Sequence, residues 1–441
     1  MGRWRRTSWV RSGLQQSAAF TRWAGLLAAC IIGLTAGIRA AAIASNPSVP
    51  DGLGLNIHFT DPQPGEMQML TDSGARWIRM DFIWAETEKS PGRYNFTKYD
   101  PLIAALHQYH LHAILIFDYG NNLYDDGLAP HTDRGRQAFA QWAAAGVRRF
   151  RGAPVLWEMW NEPNGGFWRP RADVGNYIRL AQEVGEAIKQ ADPQALYIGP
   201  ASAGIAQRDA HVPNSFLEDC LKAGLLRYWS AVSVHPYRTS DPETVGADYQ
   251  GLRVMIAQYA PRGKQIPILC GEWGYSSASK RIGEDRQAKL LARLWLTNLS
   301  NGIPISIWYD WHDDGPRALD LEHHFGIVSF PYEAGHSPVY APKPAFFAAR
   351  TLTHVLNGCT FQKRLAVGGA NDYVLVFEKD GAECLVAWTT DRTPHTLRVP
   401  TVHPQWSVIG CEGNDLAPIT AMNGTVEVSV GDAPVYLVPR D

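Results

Sequence analysis

The chain has 441 residues, ample for one large domain and a smaller one, and its 45% hydrophobic and 19% charged content excludes a disordered polypeptide. The formal net charge is −2, but six of the 41 basic residues fall within the first fifty positions against none of the 43 acidic ones, so the remainder carries −8. That balance argues against nucleic acid or an anionic membrane surface as a partner of the main body.

The N-terminal stretch differs in character from the rest of the chain. Arg3, Arg5, Arg6, Arg11 and Arg22 precede an apolar run over 24–38, and the small residues Ala42 and Ala44 come after it. Positive end, apolar middle and small-residue exit predict an export leader over residues 1–50, either a cleaved signal peptide or a retained membrane anchor with a short tether. The expected location is therefore periplasmic or extracellular, with anchorage to the inner membrane as the alternative to release.

From 51 to 350 short apolar runs alternate with longer amphipathic ones. Strands are predicted at 53–59, 76–82, 112–118, 155–160, 195–199, 231–235, 266–270 and 303–309, and helices at 100–110, 135–150, 176–190, 215–223, 249–259 and 285–300. Eight strands separated by helical connections predict an α/β fold, a (β/α)8 TIM barrel. The rival, a doubly wound sheet, lacks any G-x-G-x-x-G or phosphate loop after a strand. Beyond 350 the texture becomes all-β, with Asp380-Gly381 as a hairpin signal, and residues 351–441 are predicted to form a β-sandwich. Six cysteines occur without a C-x-x-C pair, which argues against zinc ribbons and redox motifs; a single bridge in the C-terminal part stays open.

Catalytic groups of a parallel barrel gather at the C-terminal ends of its strands. Strand one offers Asn56 and His58 there, strand two Arg79, Asp81 and Trp84, and strand three Asp118 and Tyr119. Strand four ends in Asn161-Glu162, strand six in His235-Pro236-Tyr237, strand seven in Glu272-Trp273 and strand eight in Trp308-Tyr309-Asp310-Trp311. Taken singly, Glu162 is a loop acid capping a nearby amide and Glu272 a strand-end acid paired with Arg79. Together they are two carboxylates facing each other across one mouth, the minimum equipment for splitting a glycosidic bond. One must be protonated to release the leaving oxygen and the other ionised to attack or activate water, and opposed environments set their pKa values apart.

Trp160-Asn161-Glu162-Pro163-Asn164, His235-x-Tyr237, the glutamate of CGEWG and Trp308 resemble the strand motifs of clan A retaining glycoside hydrolases. The stretches SPGRYNFTKYD (90–100), GFW (166–168) and WHDDGPRALDLEHHFGIV (311–328) are most similar to glycoside hydrolase family 39, in particular its bacterial members associated with exopolysaccharide loci. The resemblance covers the chain from about residue 52 onward, the appended β-domain included. It implies Glu162 as general acid/base and Glu272 as nucleophile, with carboxyls about 5–5.5 Å apart. It further implies that Asn161 bonds the hydroxyl beside the anomeric carbon, that Tyr237 orients the nucleophile and that Arg79 keeps it charged.

His58 and His235 complete the polar candidates. Trp308 is expected to floor the sugar at the cleavage point, and Trp84, Trp168, Trp273 and Trp311 to extend the floor, although each is equally readable as core. Several aromatics along one rim favour endo-cleavage of an oligo- or polysaccharide. No cofactor is expected. The clusters His312-Asp313-Asp314 and Glu322-His323-His324 lack ligand spacing, so no metal is expected either, and a monomer is the expected state. A non-catalytic glycan-binding or polysaccharide-assembly component, or a transglycosylase using the same site, are the alternatives. Turnover separates the first from hydrolysis and product analysis the second.

Overall fold

The computed structural model describes residue 43, residues 46–205 and residues 215–440. The predicted leader lies almost wholly outside the described residues. Within them, no helix is long and apolar enough to cross a membrane.

Eight parallel strands close into a barrel: β1 (Leu53–Asn56), β2 (Trp77–Ile83), β3 (His112–Asp118), β4 (Val155–Met159), β5 (Leu196–Ala203), β6 (Val232–His235), β7 (Ile268–Trp273) and β8 (Ser306–Trp308). The ring is sealed by β1 against β8, with Leu53 opposite Ser306 and Leu55 opposite Trp308. Because each strand is covered by helices outside and by packed side chains inside, the strands read as continuous apolar runs, as in AILIF of β3. Gly54 makes the closure geometrically feasible. A side chain there would meet the Trp77 Cβ and carbonyl oxygen at 2.5 Å each.

The connecting helices are α1 (Glu66–Asp72), α2 (Asp100–Gln108), α3 (Asp133–Arg149), α4 (Val174–Ala191), α5 (Phe216–Lys222), α6 (Gly246–Tyr259), α7 (Gly283–Ser300) and α8 (Pro344–Val355). Thr132 and Asp173 begin α3 and α4 by accepting hydrogen bonds from the Gly135 and Asn176 amides, ordinary N-caps that the sequence carries openly. α1 and α8 are absent from the sequence-based prediction. α1 spans only seven residues, too few to show a helical period, while α8 begins on Pro344 at its first position, a helix start that the sequence offers.

The C-terminal part is a β-sandwich. β9 (Thr360–Arg364), β10 (Asp372–Lys379), β11 (Ala382–Thr389), β16 (Val435–Pro439), β13 (Gln405–Ile409) and β14 (Asp415–Thr420) form one antiparallel sheet in that order, and β12 (His395–Pro400) pairs with β15 (Thr425–Val430). Asp380-Gly381 closes the β10–β11 hairpin, both residues having positive φ (53° and 83°). Alternation along β10 explains the layering. Val374 and Val376 face the sandwich core with Leu397, Trp406 and Val428, while Leu375 and Phe377 belong to the barrel-side core. The middle of the large sheet, at β10, β11 and β16, is therefore buried on both faces. The five cysteines among the described residues are all free and buried.

Candidate active site

β4 ends in a tight turn that throws Glu162 into the mouth. Trp160 (φ 65°) and Glu162 (φ 45°) both adopt the left-handed conformation, which is unfavourable for residues with a side chain and costs about 1–3 kcal/mol each. The turn is held by its surroundings: the Glu162 amide donates to the Ala201 carbonyl at 3.0 Å. Asn164 bonds Ala203 of β5 twice, its amide donating to the carbonyl and its oxygen accepting from the backbone N–H, both at 2.9 Å. The NEPN motif is thus a brace across two strands as well as a carrier of the acid.

Arg79 is the hub. It is buried, and its guanidinium donates to Glu158 (2.7 Å), Glu272 (2.7 Å), Asn161 (2.8 Å) and, more weakly, Asn56 (3.4 Å). Burial opposes its charge, but Glu158 and Glu272 outweigh burial and raise its pKa. Tyr237 donates to the other oxygen of Glu272 at 2.9 Å. Burial and then the Glu272 charge push the Tyr237 pKa up, so it stays a donor. His235, wholly buried, places Nδ1 2.9 Å from Glu162 Oε1 and 3.9 Å from Glu272 Oε2. One oxygen of Glu162 and one of Glu272 lie within 4.8 Å of each other, and both side chains remain 14–19% exposed. The structure brings together Glu162, Glu272, Asn161, Arg79, His235 and Tyr237 at one point. Two further acids adjoin Arg79, with burial raising the pKa of Asp118 and, despite Arg79, that of Asp81.

The aromatic floor requires correction. Trp84, Trp168, Trp308 and Trp311 are all buried, with at most 2% of their surface exposed, and Trp273 is buried as well. Trp84 stacks on Tyr124 and donates to Glu88; Trp168 packs on Trp160 and Tyr177. Trp311 donates to Glu66, and Trp308 donates to the Phe325 carbonyl. With every one of these indoles buried, none offers a face to a sugar. The exposed aromatic surface lies one residue away in two cases. Tyr309 is half-buried, edge-on to His58 and Phe325, and close enough to Glu272 to feel its charge. Phe167 is 48% exposed and stacks on Tyr119 at the ends of β3 and β4. In-out parity along a strand was the available signal for Tyr309.

His58 sits at the rim beside this surface, its Nε2 2.9 Å from Asp310 Oδ2. Glu158, the buried acid paired with Arg79, is the member of this network that sequence reasoning missed. Its signal was an acid in the middle of an otherwise apolar strand, VLWEM. The loop 311–328 carries Asp313, which pairs with Lys343 at 2.9 Å, and the exposed Leu319 and Leu321.

A family model for cellulase (glycosyl hydrolase family 5) matches residues 53–315. No curated protein sequence matches the chain significantly. Among solved structures, a family 39 glycoside hydrolase from the gut symbiont Bacteroides cellulosilyticus superposes with a TM-score of 0.75 at 24% identity, covering 88% of this chain and 81% of that one. A monomeric β-xylosidase from Caulobacter crescentus does so at 0.64 and 18% identity, covering 88% and 96%. A family 30 endoxylanase from Clostridium papyrosolvens gives 0.61 at 13% identity, covering 90% and 97%. At these identities the structural likenesses show a shared fold.

Proposed function

The chain belongs to the cellulase (glycosyl hydrolase family 5) family, and from that premise we propose how its residues divide the work of a clan A retaining glycoside hydrolase. Glu272 is the nucleophile and Glu162 the general acid/base. The observation that carries a retaining pair is the approach of one carboxylate oxygen of each to within 4.8 Å, and the hydrogen bonds that Arg79 and Tyr237 give Glu272 divide the roles. Arg79 and Tyr237 both donate to Glu272, which holds it aimed at the anomeric carbon. Glu162 protonates the leaving oxygen, and the glycosyl–Glu272 ester is then hydrolysed by water that Glu162 deprotonates. Asn161, its oxygen fixed by Arg79, keeps its amide N–H groups to bond a sugar hydroxyl. Tyr309 takes the platform role in place of Trp308.

The substrate we propose is a bacterial exopolysaccharide, cut internally by an exported protein. The basic and apolar leader supports export, and Phe167, Leu319 and Leu321, exposed on the loops after β4 and β8, support contacts beyond a single sugar. The test is hydrolysis of a panel of purified exopolysaccharides by wild type, Glu162→Gln and Glu272→Gln, with product lengths read by mass spectrometry. Each variant should lose at least about a hundredfold in kcat/KM. Undiminished turnover in either removes the assignment, and monosaccharide as sole product removes internal cleavage.

A further inference from the structure

The sandwich gathers three ligating side chains that the catalytic assignment does not use. Asp372 opens β10, His395 opens β12, and Asp391 lies on the connection from β11 to β12. One ligand atom from each stands within 4.8 Å of those of the other two. The cluster thus joins the large sheet, the two-stranded sheet and the loop between them.

Each side chain has one atom tied from outside the cluster, which leaves another for a common centre. His395 Nδ1 bonds the Thr393 carbonyl at 3.2 Å; a carbonyl only accepts, so Nδ1 carries the proton and the neutral ring presents the lone pair of Nε2. The Gly369 amide donates to Asp372 Oδ2 at 2.6 Å, and the Asn371 side-chain amide donates to Asp391 Oδ1 at 2.6 Å. The second oxygen of Asp372 is the more telling one. Asp372 is only 4% exposed, and its buried Oδ1 has no aligned hydrogen bond among the described residues, although it lies 2.9 Å from His395 Nε2. Two ligand atoms that each stand about 2.1 Å from one ion, at right angles, are themselves about 3 Å apart. Among the described residues neither carboxylate meets a lysine or arginine. A protonated imidazole would balance one of the two acids, whereas a divalent ion balances both.

We propose that Asp372, Asp391 and His395 bind a divalent transition-metal ion of the zinc class, which staples the two sheets of the sandwich together at this end. One imidazole nitrogen with two carboxylate oxygens suits such an ion, whereas calcium and magnesium take oxygen ligands. Thr393, Gly369 and Asn371 form the outer ring of hydrogen bonds that orients the three ligands. Asp391 is exposed and His395 partly so, which gives the ion a way in and leaves water as the remaining ligand.

The experiment titrates chelator-treated full-length protein with zinc ions at mildly alkaline pH, where protons compete least for the ligands, and follows it by calorimetry and thermal melting. Wild type should bind zinc and melt at a higher temperature as zinc is added. Asp391→Ala and His395→Gln should each weaken the tightest binding event by at least about a hundredfold and abolish the rise in melting temperature. Asn371→Ala, which removes only an outer hydrogen bond, should weaken it by about ten- to a hundredfold. Asp391 and Asn371 are exposed, so those two variants decide the matter even if His395→Gln fails to fold. His58→Gln removes the imidazole of the other histidine–aspartate cluster, at the barrel mouth, and should titrate like wild type. No zinc uptake by wild type, undiminished uptake in Asp391→Ala, or loss of the tightest event in His58→Gln overturns the proposal. Calcium at the same concentration should leave the melting curve unmoved; a rise equal to that with zinc overturns the choice of metal.

Discussion

Trp308 and Tyr309 show how one residue of offset separates core from exposed aromatic surface. Tyr309→Ala should lower kcat/KM by about ten- to a hundredfold, with its melting temperature little changed, because the ring is half-exposed at the mouth. Trp84→Ala should instead cost about 3–5 kcal/mol of stability, measured by denaturant unfolding, because it empties a packed interior among Tyr124, Phe139 and Trp142. The polar residues of the site were legible in the sequence because strand ends in a barrel share one address, and the chemistry of paired acids restricts what they are for. The tryptophans were not, since indole suits a core and a sugar floor equally and only burial tells them apart. His58 adds a pH signature. Burial opposes its proton, but Asp310, with Asp314 and Asp81 behind it, outweighs burial and lifts the pKa to about 9. A raised pKa contributes stability that is complete below the unfolded value of about 6.5 and is lost as the pH climbs through 9. The melting temperature should therefore fall between those limits, and His58→Gln should flatten that slope.

Among elements, the β4 tip is where local preference is overruled. A proline and two asparagines advertise a turn, yet the left-handed Trp160 and Glu162 could not be read from the sequence, because the brace that enforces them comes from β5. Asn164→Ala removes both arms of that brace. Its kcat should drop by about tenfold or more, with KM and melting temperature moving far less, since the acid is displaced while the barrel stands. The β10–β11 hairpin was readable from Asp380-Gly381, whose turn type needs positive φ at both positions. The sequence predicts sandwich strands at 373–377, 384–388, 406–410, 425–430 and 435–438, and β9, β12 and β14 escaped. β14 reads DLAPIT with nearly every side chain exposed, so it carries no alternation, and β9 is similarly open towards its end. Edge strands like these are fixed by the neighbour they pair with, β13 for β14 and β10 for β9.

In the molecule as a whole, barrel and sandwich share a buried ionic joint. Arg293 of α7 forms a two-pronged pair with Glu243 at 2.7 Å on each arm, and Trp388 of β11 donates to the same carboxylate at 2.7 Å. Asp241 adds a second acid to Arg293 at 3.0 Å. Glu243→Gln leaves a buried guanidinium short of charge and should destabilise the protein by about 3–5 kcal/mol in denaturant unfolding, without altering the pH profile of turnover. The division into barrel and sandwich was visible as a change of texture near residue 350, but this joint was not, because its partners lie far apart in the chain.

The seam between β1 and β8 has a consequence for synthesis. The first strand of the ring leaves the ribosome long before the last one that must lie beside it, and the glutamate of β7 emerges well after that of β4. Until the final strand docks, no sugar chain can be gripped between the two acids. The cutting edge stays sheathed for as long as the polypeptide is unfinished.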